Sequence, residues 1–441
     1  MDVNDTAPTA LPRRLGTGDA VVLGLASMLG AGVFTVFAPA ARTAGWWLPL
    51  AILLAGVVAA CNAFSTADLA ANQPESGGGY VYGRRLLAPW AGRLAGVAFL
   101  LGKTASAAAA ARVFAGYVLP THPLWVAIPV ILVVSVMNLA GVRWTARGAW
   151  VLVPGVLGVL GIVVVATLLG SHNPADPTAT APVDPAGIGM VAPTVDLVPV
   201  TPLGVLTAAG LIFFAFAGYA RMATLGEEVR DPAQTLRRAI PLALGIALVA
   251  YLAVGVALLL TLGPAELARS GSPLAAAVGA VEAPALGVVV RFGAAAASAA
   301  ALLSVLVGIS RTALAMARHH DLPHWLSAVS SRGTPWRADL LGALAAVLTA
   351  VLAGPVAAIA LSACCVLVYY AVINCAALML PTGSRRWPGW TAALGLGLCL
   401  LLAALLPSAQ VLISVVALVL GTTISTALAW RARRAAAAND L

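Results

Sequence analysis

One lysine in the middle of a long apolar run is the side chain best placed for chemistry in this sequence. Lys103 is the only lysine of the 441 residues, and segment 101–106 around it reads LGKTAS. Counting about 1.5 Å per helical residue from Trp90 places it roughly 20 Å along a helix. If that helix crosses a bilayer, the charge costs at least about 2.5 kcal/mol and suggests a function. Lys103 could carry a coupling proton, hold a substrate carboxylate as a fixed cation or replace a sodium ion. The alternative is that its side chain extends back to the membrane–water interface.

Two glycine-containing segments could interrupt helices and form a small-molecule site. Segment 27–34 reads SMLGAGVF, and segment 213–219 reads FFAFAGY. Such glycines can mean close helix packing, but unwound main chain that lines a cavity can also bind a ligand. Freed N–H groups suit a carboxylate and freed carbonyl groups suit an ammonium, so a zwitterion such as an α-amino acid satisfies both. This interpretation predicts substrate-binding residues at both breaks: Ser27, Met28, Leu29, Gly30, Ala31, Gly32, Phe214, Phe216, Ala217 and Gly218.

A few further charged residues have more than one interpretation. Arg221 follows the second glycine segment and could reach toward water, pair with a carboxylate or favour an acidic substrate. Asp68 and the acidic pair 227–228 lie near predicted helix ends. We expect them to pair with loop arginines such as Arg84 or Arg230. These acidic residues are too near the interface for a proton relay through the membrane.

Composition indicates the class of protein around these residues. Hydrophobic residues make up 61% of the chain and charged residues 9%, whereas soluble domains carry about 25% charged residues. A membrane protein in contact with the lipid bilayer is therefore expected. The formal charge of +9 is scattered between apolar runs, which argues against a nucleic-acid partner. The cysteines number 5 and have no metal-ligand spacing, so we expect no disulfide framework, no metal site and no cofactor.

Patterns typical of enzymes and channels are weak. HExxH and paired intramembrane acids are absent from the sequence, and Ser106, one turn beyond Lys103, makes only a weak Ser–Lys pair. A channel requires rings of charge or of carbonyl groups, and no repeated filter motif occurs. Neither an enzyme nor a channel is therefore expected.

Apolar runs separated by Gly, Pro and charged residues predict twelve membrane-spanning helices. The 11 tryptophans lie near the ends of these runs, as is typical of the interfacial belt. Eighteen arginines fall in loops on one side against three on the other, Arg42, Arg269 and Arg291, which predicts that both termini are cytoplasmic. The predicted spans are 18–41, 46–70, 92–118, 124–141, 148–170, 202–225, 239–262, 284–317, 338–353, 356–380, 390–406 and 409–430.

The positions of the two glycine segments predict an internal repeat. They lie in the first and sixth spans, and a displacement by five helices makes the second copy enter the membrane from the opposite side. This arrangement is typical of an inverted repeat with broken helices at the midplane. It predicts a cytoplasmic segment at 1–17, a five-helix repeat at 18–170 and an extracellular loop at 171–201. A second five-helix repeat at 202–380, two further helices at 381–430 and a cytoplasmic tail at 431–441 follow.

Four segments in this order resemble one known family. They are SMLGAGVF at 27–34; ADLA at 67–70 with PESGGGYVY at 74–82; FFAFAGY at 213–219 with GEEVRDP at 226–232; and SR at 310–311 through AR at 317–318, LP at 322–323 and GTP at 333–335. Together they resemble the amino acid–polyamine–organocation (APC) superfamily of amino acid permeases over nearly the whole chain.

The resemblance implies an all-α LeuT-like fold with a 5+5 inverted repeat, discontinuous helices 1 and 6, and two added helices. It implies transport of an amino acid or related amine across the cell membrane by alternating access, with Phe214 as the occluding gate. Ser298 and Ser304 would supply hydroxyl groups to an ion site, although ordinary serine packing is the alternative. The chain departs from the family pattern at Val156, where many members have a lysine, and at Ala220, where many have an acidic residue. Proton coupling, exchange and uniport therefore remain open, as does the oligomeric state.

Overall fold

The computed structural model of the protein describes residues 15–73, 77–140, 146–170, 200–219, 229–330 and 333–439. Arg221, the acidic pair 227–228 and nearly all of the predicted extracellular loop lie outside these residues. Inside them the secondary structure is helical, apart from one isolated bridge between Leu15 and Val229.

The described residues form fifteen α-helices, joined in places by short 3₁₀ turns. The helices are α1 (Thr17–Met28), α2 (Phe37–Ala44), α3 (Leu48–Asn72), α4 (Gly79–Leu86), α5 (Pro89–Val118), α6 (Pro123–Leu139), α7 (Ala146–Leu169), α8 (Pro202–Phe216), α9 (Pro232–Arg269), α10 (Pro273–Ala280), α11 (Pro284–Arg318), α12 (Trp336–Leu352), α13 (Pro355–Leu378), α14 (Gly389–Leu405) and α15 (Ser408–Asn439).

Proline marks the start of many of these helices. Pro89, Pro123, Pro202 and Pro355 each stand in the first turn of α5, α6, α8 and α13. Proline is favourable there because the first turn needs no N–H donor and the fixed φ angle suits a helix. The apolar run that follows each proline then continues the helix.

The protein is an all-α polytopic membrane protein. In the described part of the chain, 9 helical segments are long and apolar enough to span a membrane, and Pro123–Leu139 and Gly389–Leu405 are shorter apolar helices. Within the described residues, each predicted span falls on a helix or on consecutive helical segments; residues 141 and 220–225, at the ends of two spans, lie outside them. A total of twelve crossings and the 5+5 repeat remain predictions.

Small side chains allow the central helices to approach closely. Helix α5 packs along α11 and α13, and the alanines at 107–111 of α5 are all buried. Such small residues let helix backbones approach in membrane proteins. Other large apolar side chains lie on the outside: Trp125 is 79% exposed and Leu169 is 81% exposed. This exterior suits contact with lipid.

Two helices are interrupted within the glycine-containing segments. Helix α1 ends at Met28, where the N–H of Leu29 donates to the carbonyl of Leu25. A 3₁₀ turn, Ala31–Phe34, follows Gly30, and α2 then continues in the same predicted span. Helix α8 ends at Phe216 and passes into a 3₁₀ turn, Ala217–Tyr219, beyond which the chain is outside the described residues.

A buried carboxylate connects α4, α5 and the segment after α11. Asp321 is fully buried and accepts hydrogen bonds from Tyr80 (2.7 Å), Arg84 (2.8 Å) and Arg93 (2.9 Å). Burial, and then the bond to Asp321, raises the pKa of the Tyr80 phenol, so this side chain stays protonated and keeps its donor. We call these four residues the Asp321 cluster.

The structure corrects the partners expected for Asp68. Arg84 belongs to the Asp321 cluster, and Asp68 instead lies 3.4 Å from Arg237 of α9. Asp68 also accepts the main-chain N–H groups of Arg386 and Trp387. Asp68 does pair with an arginine, but the partner is Arg237 rather than Arg84 or Arg230. The packing of α3 against α9 supplies this arginine, and the segment just before α14 supplies the main-chain donors.

Candidate substrate site

The two interrupted segments touch each other at the centre of the protein. A Cβ atom added to Gly218 would collide with the main chain of Ser27 and Met28. One added to Gly32 would lie 2.7 Å from the Cα and Cβ atoms of Ala215. The breaks can therefore approach this closely only because both positions are glycine.

Tyr251 of α9 holds the two breaks together from behind. Its hydroxyl group lies 2.6 Å from the carbonyl oxygen of Met28 and 3.1 Å from that of Ala215. A phenol has one proton to donate, so these two carbonyl groups share it. Tyr251 thus donates to one main-chain carbonyl group on each interrupted helix. Neither carbonyl group has a donor within its own helix.

A cavity lies beside this contact, between α5, α11 and the two breaks. Its walls are mostly small and apolar, with one lysine, three serines and two phenylalanine rings. The lining residues are Ser27, Met28, Ala31, Gly32, Phe99, Lys103, Ser106, Ala110, Phe214, Ala215, Ala217, Gly218, Ala301, Ser304, Val305 and Gly308.

Lys103 reaches across the cavity to the second break. Its side chain is buried, and its Nζ atom donates a hydrogen bond to the carbonyl oxygen of Ala217 at 3.3 Å. The same Nζ atom lies 5.7 Å from the centre of the Phe99 ring, within the range of a cation–π contact. Lys103 is the one titratable side chain among the lining residues, and no described carboxylate forms an ion pair with it.

Most of the residues predicted from sequence come together at this cavity. Ser27, Met28, Ala31, Gly32, Lys103, Phe214, Ala217, Gly218 and Ser304 all line it. Arg221 lies outside the described residues.

Four predicted residues lie near the cavity without lining it. Leu29 is buried, and a Cβ atom on Gly30 would meet Ala301 of α11 at 2.5 Å. Phe216 packs against Tyr251, with ring centres 4.8 Å apart. Ser298 is fully buried, and its hydroxyl group has no hydrogen-bond partner among the described residues. The structure therefore places Phe214, and not Phe216, at the cavity.

Helical spacing identifies the lining residues that the sequence analysis missed. Phe99, Ser106 and Ala110 stand four positions before, three after and seven after Lys103, which puts all four on one face of α5. The lining residues that α11 contributes also lie on one helix face by their spacing: Ala301, Ser304, Val305 and Gly308. Counting helical periodicity from Lys103 and from Ser304 could therefore have identified these lining residues in the sequence.

Ser106 does not pair with Lys103. Its hydroxyl oxygen lies 2.7 Å from that of Ser362 on α13, while Lys103 donates to Ala217. The Ser–Lys pair considered from the sequence is therefore not formed in this structure. The serine pair instead connects the cavity wall to the helix behind it.

The helices, apolar exterior and buried cavity are those of a polytopic membrane protein of the class that the sequence resembles. The chain belongs to the amino acid permease family of the APC superfamily, since the profile of that family, described as "Amino acid permease", matches residues 15–429.

Several relatives of the chain agree with this assignment. An uncharacterised transporter of Mycobacterium tuberculosis is 46% identical over 406 residues, which cover 92% of this chain and 88% of the relative. The branched-chain amino acid permease BcaP of Bacillus subtilis is 24% identical over 77% of this chain and 75% of its own length. The chloroplastic cationic amino acid transporter 9 of Arabidopsis thaliana is 28% identical over 74% of this chain and 59% of its own length. The named substrates of these relatives differ, so they do not determine the substrate of this chain.

Proposed function

We propose that this protein is a secondary active transporter that moves an amino acid or related amine across the cell membrane by alternating access. The observation that carries the proposal is the central cavity, which is lined by the two breaks and by helices α5 and α11. Irregular main chain at membrane depth is expected where it lines a cavity that holds a ligand. Membership of the amino acid permease family supports the same substrate class.

In this proposal the two breaks bind the substrate, and the helices around them move. Main-chain N–H groups near Gly30 and Gly32 hold the substrate carboxylate, and Phe214, which is partly exposed at the cavity, closes over it as the gate. The two five-helix units of a LeuT-like 5+5 repeat would then rock about the site and open it to one side at a time. Both termini would lie in the cytoplasm, in agreement with the distribution of arginines.

Proton coupling is the finer part of the proposal. Lys103 is its candidate carrier, because it is the titratable side chain at the described cavity wall. The alternative is an exchanger or uniporter in which no ion is coupled, with Lys103 as a fixed cation. A sodium site would involve Ser304 at the cavity and the buried Ser298.

Uptake into proteoliposomes tests the transport proposal. Purified protein should take up labelled amino acids from a panel, and the uptake should saturate. Gly32→Leu should abolish uptake, because even a Cβ atom at this position meets Ala215 at 2.7 Å. The matched control is Gly279→Leu on α10, where an added Cβ atom meets nothing within 4 Å.

Both variants are first compared with the parent protein by size-exclusion chromatography, so that a folding defect is recognised. Phe214→Ala serves as a second variant if Gly32→Leu does not fold, and it should lower transport without preventing assembly. Equal accumulation in protein-free liposomes and with the parent protein would refute the transport proposal. An imposed pH gradient that leaves uptake unchanged would refute proton coupling alone and favour the exchanger or uniporter.

A further inference from the structure

The carbonyl groups at the two breaks already have donors within the protein. Tyr251 donates to the carbonyl oxygens of Met28 and Ala215, and Lys103 donates to that of Ala217. The carbonyl groups of Ala215 and Ala217 are among those that the sequence analysis offered to a substrate ammonium group. A substrate amine at this place would therefore compete with the ammonium group of Lys103 for the Ala217 carbonyl.

Among the described residues, the positive charge of Lys103 at the cavity has no counter-charge. None of the described lining residues is acidic, and no described carboxylate is paired with the lysine. A lysine ammonium group has three N–H donors, and the described residues use one of them in a hydrogen bond. The other two donors have no hydrogen-bond partner among the described residues.

Net charge then discriminates between classes of amino acid. With Lys103 protonated, a bound cationic amino acid leaves the cavity at a net charge of about +2, a zwitterion leaves about +1, and an acidic amino acid leaves about zero. Burying an unpaired charge is unfavourable, whereas a charge that is paired and hydrogen-bonded is tolerated. The lining therefore favours a ligand that brings one more negative than positive charge.

We infer that the substrate is an acidic amino acid whose side-chain carboxylate accepts a hydrogen bond from Lys103. This inference rests on the proposed function and specifies its substrate class. Ala110 and Gly308 contribute small side chains to the wall of the cavity that Lys103 also lines. The inference separates this protein from the relatives named for cationic and branched-chain substrates.

Competition binding with the full-length protein in proteoliposomes tests the inference. The probes are glutamate, leucine and lysine, each as free amino acid. We expect glutamate to bind at least about 10-fold more tightly than the other two, because a charge-assisted hydrogen bond contributes about a 10- to 100-fold change in affinity. Lys103→Met, which keeps an apolar stem without the charge, should lose that advantage and bind leucine at least as well as the parent protein does. Lys103→Arg, the matched control, should keep the preference for glutamate.

The outcomes separate this inference from the proposal on which it rests. Leucine or lysine binding to the parent protein as tightly as glutamate would overturn the inference and leave amino acid transport intact. Unchanged glutamate affinity in Lys103→Met would overturn it too, and leucine binding by this variant shows that the variant is folded. If none of the three amino acids binds the parent protein, the inference fails, and uptake of the wider amino acid panel decides the proposed function separately.

Discussion

Replacement of Tyr251 by phenylalanine should loosen the contact between the two interrupted helices. The change removes only the hydroxyl group that serves the carbonyl oxygens of Met28 and Ala215, and it keeps the ring that packs on Phe216. A buried acceptor that loses its donor costs about 1–3 kcal/mol. Since two acceptors lose a shared proton, we expect the free energy of unfolding to fall by about 2–4 kcal/mol.

A second tyrosine provides the matched control. Tyr117 is equally buried, and its hydroxyl group donates to one main-chain acceptor, the carbonyl oxygen of Phe34, at 2.9 Å. Tyr117→Phe should therefore cost about 1–2 kcal/mol, which is less than the cost at Tyr251.

Unfolding of both variants in mixed micelles of mild detergent and dodecyl sulfate measures these free energies. An interhelical hydrogen bond in a membrane protein contributes about 0.6 kcal/mol on average. A loss no larger than this for Tyr251→Phe, or one no larger than that of Tyr117→Phe, would refute the idea that Tyr251 joins the two breaks.

Two further comparisons follow from the packing. Asp321→Asn should lower the free energy of unfolding by about 3–5 kcal/mol, because Arg93 is left buried without its counter-charge. Asp68→Asn should cost less, because its arginine partner is 25% exposed and stays hydrated without the carboxylate; equal losses in the same micelle assay would contradict this. Gly218→Ala should prevent recovery of monodisperse protein, because its Cβ atom meets the main chain of the first break. Gly245→Ala on α9 should be recovered normally, because its Cβ atom meets nothing within 4 Å; normal recovery of both would show that the breaks can separate.

The helices could be predicted from sequence because their signal is local. A run of apolar residues between proline, glycine and charged residues is sufficient to identify a helix such as α7 or α13. The glycines of segments 27–34 and 213–219 likewise mark the interruptions, since glycine allows the close approach that is seen at Gly218. These features depend on neighbours within one turn or one span.

The side-chain partners could not be predicted in the same way because they are distant in sequence. Asp321 receives donors from Tyr80, Arg84 and Arg93, all more than 200 positions earlier. Lys103 finds its acceptor 114 positions later. Only the packing of helices in three dimensions determines such pairs, whereas the position of Lys103 in an apolar run was visible from the start.

The single lysine also makes this protein suited to chemical footprinting. An amine-reactive, membrane-impermeant reagent has one lysine side chain to acylate, and that side chain lines the cavity. Reagent added to one face of a vesicle would reveal the face to which the cavity is open, and an occupying solute would shield the amine. The chain thus contains its own reporter for following successive stages of a working cycle, with no introduced label.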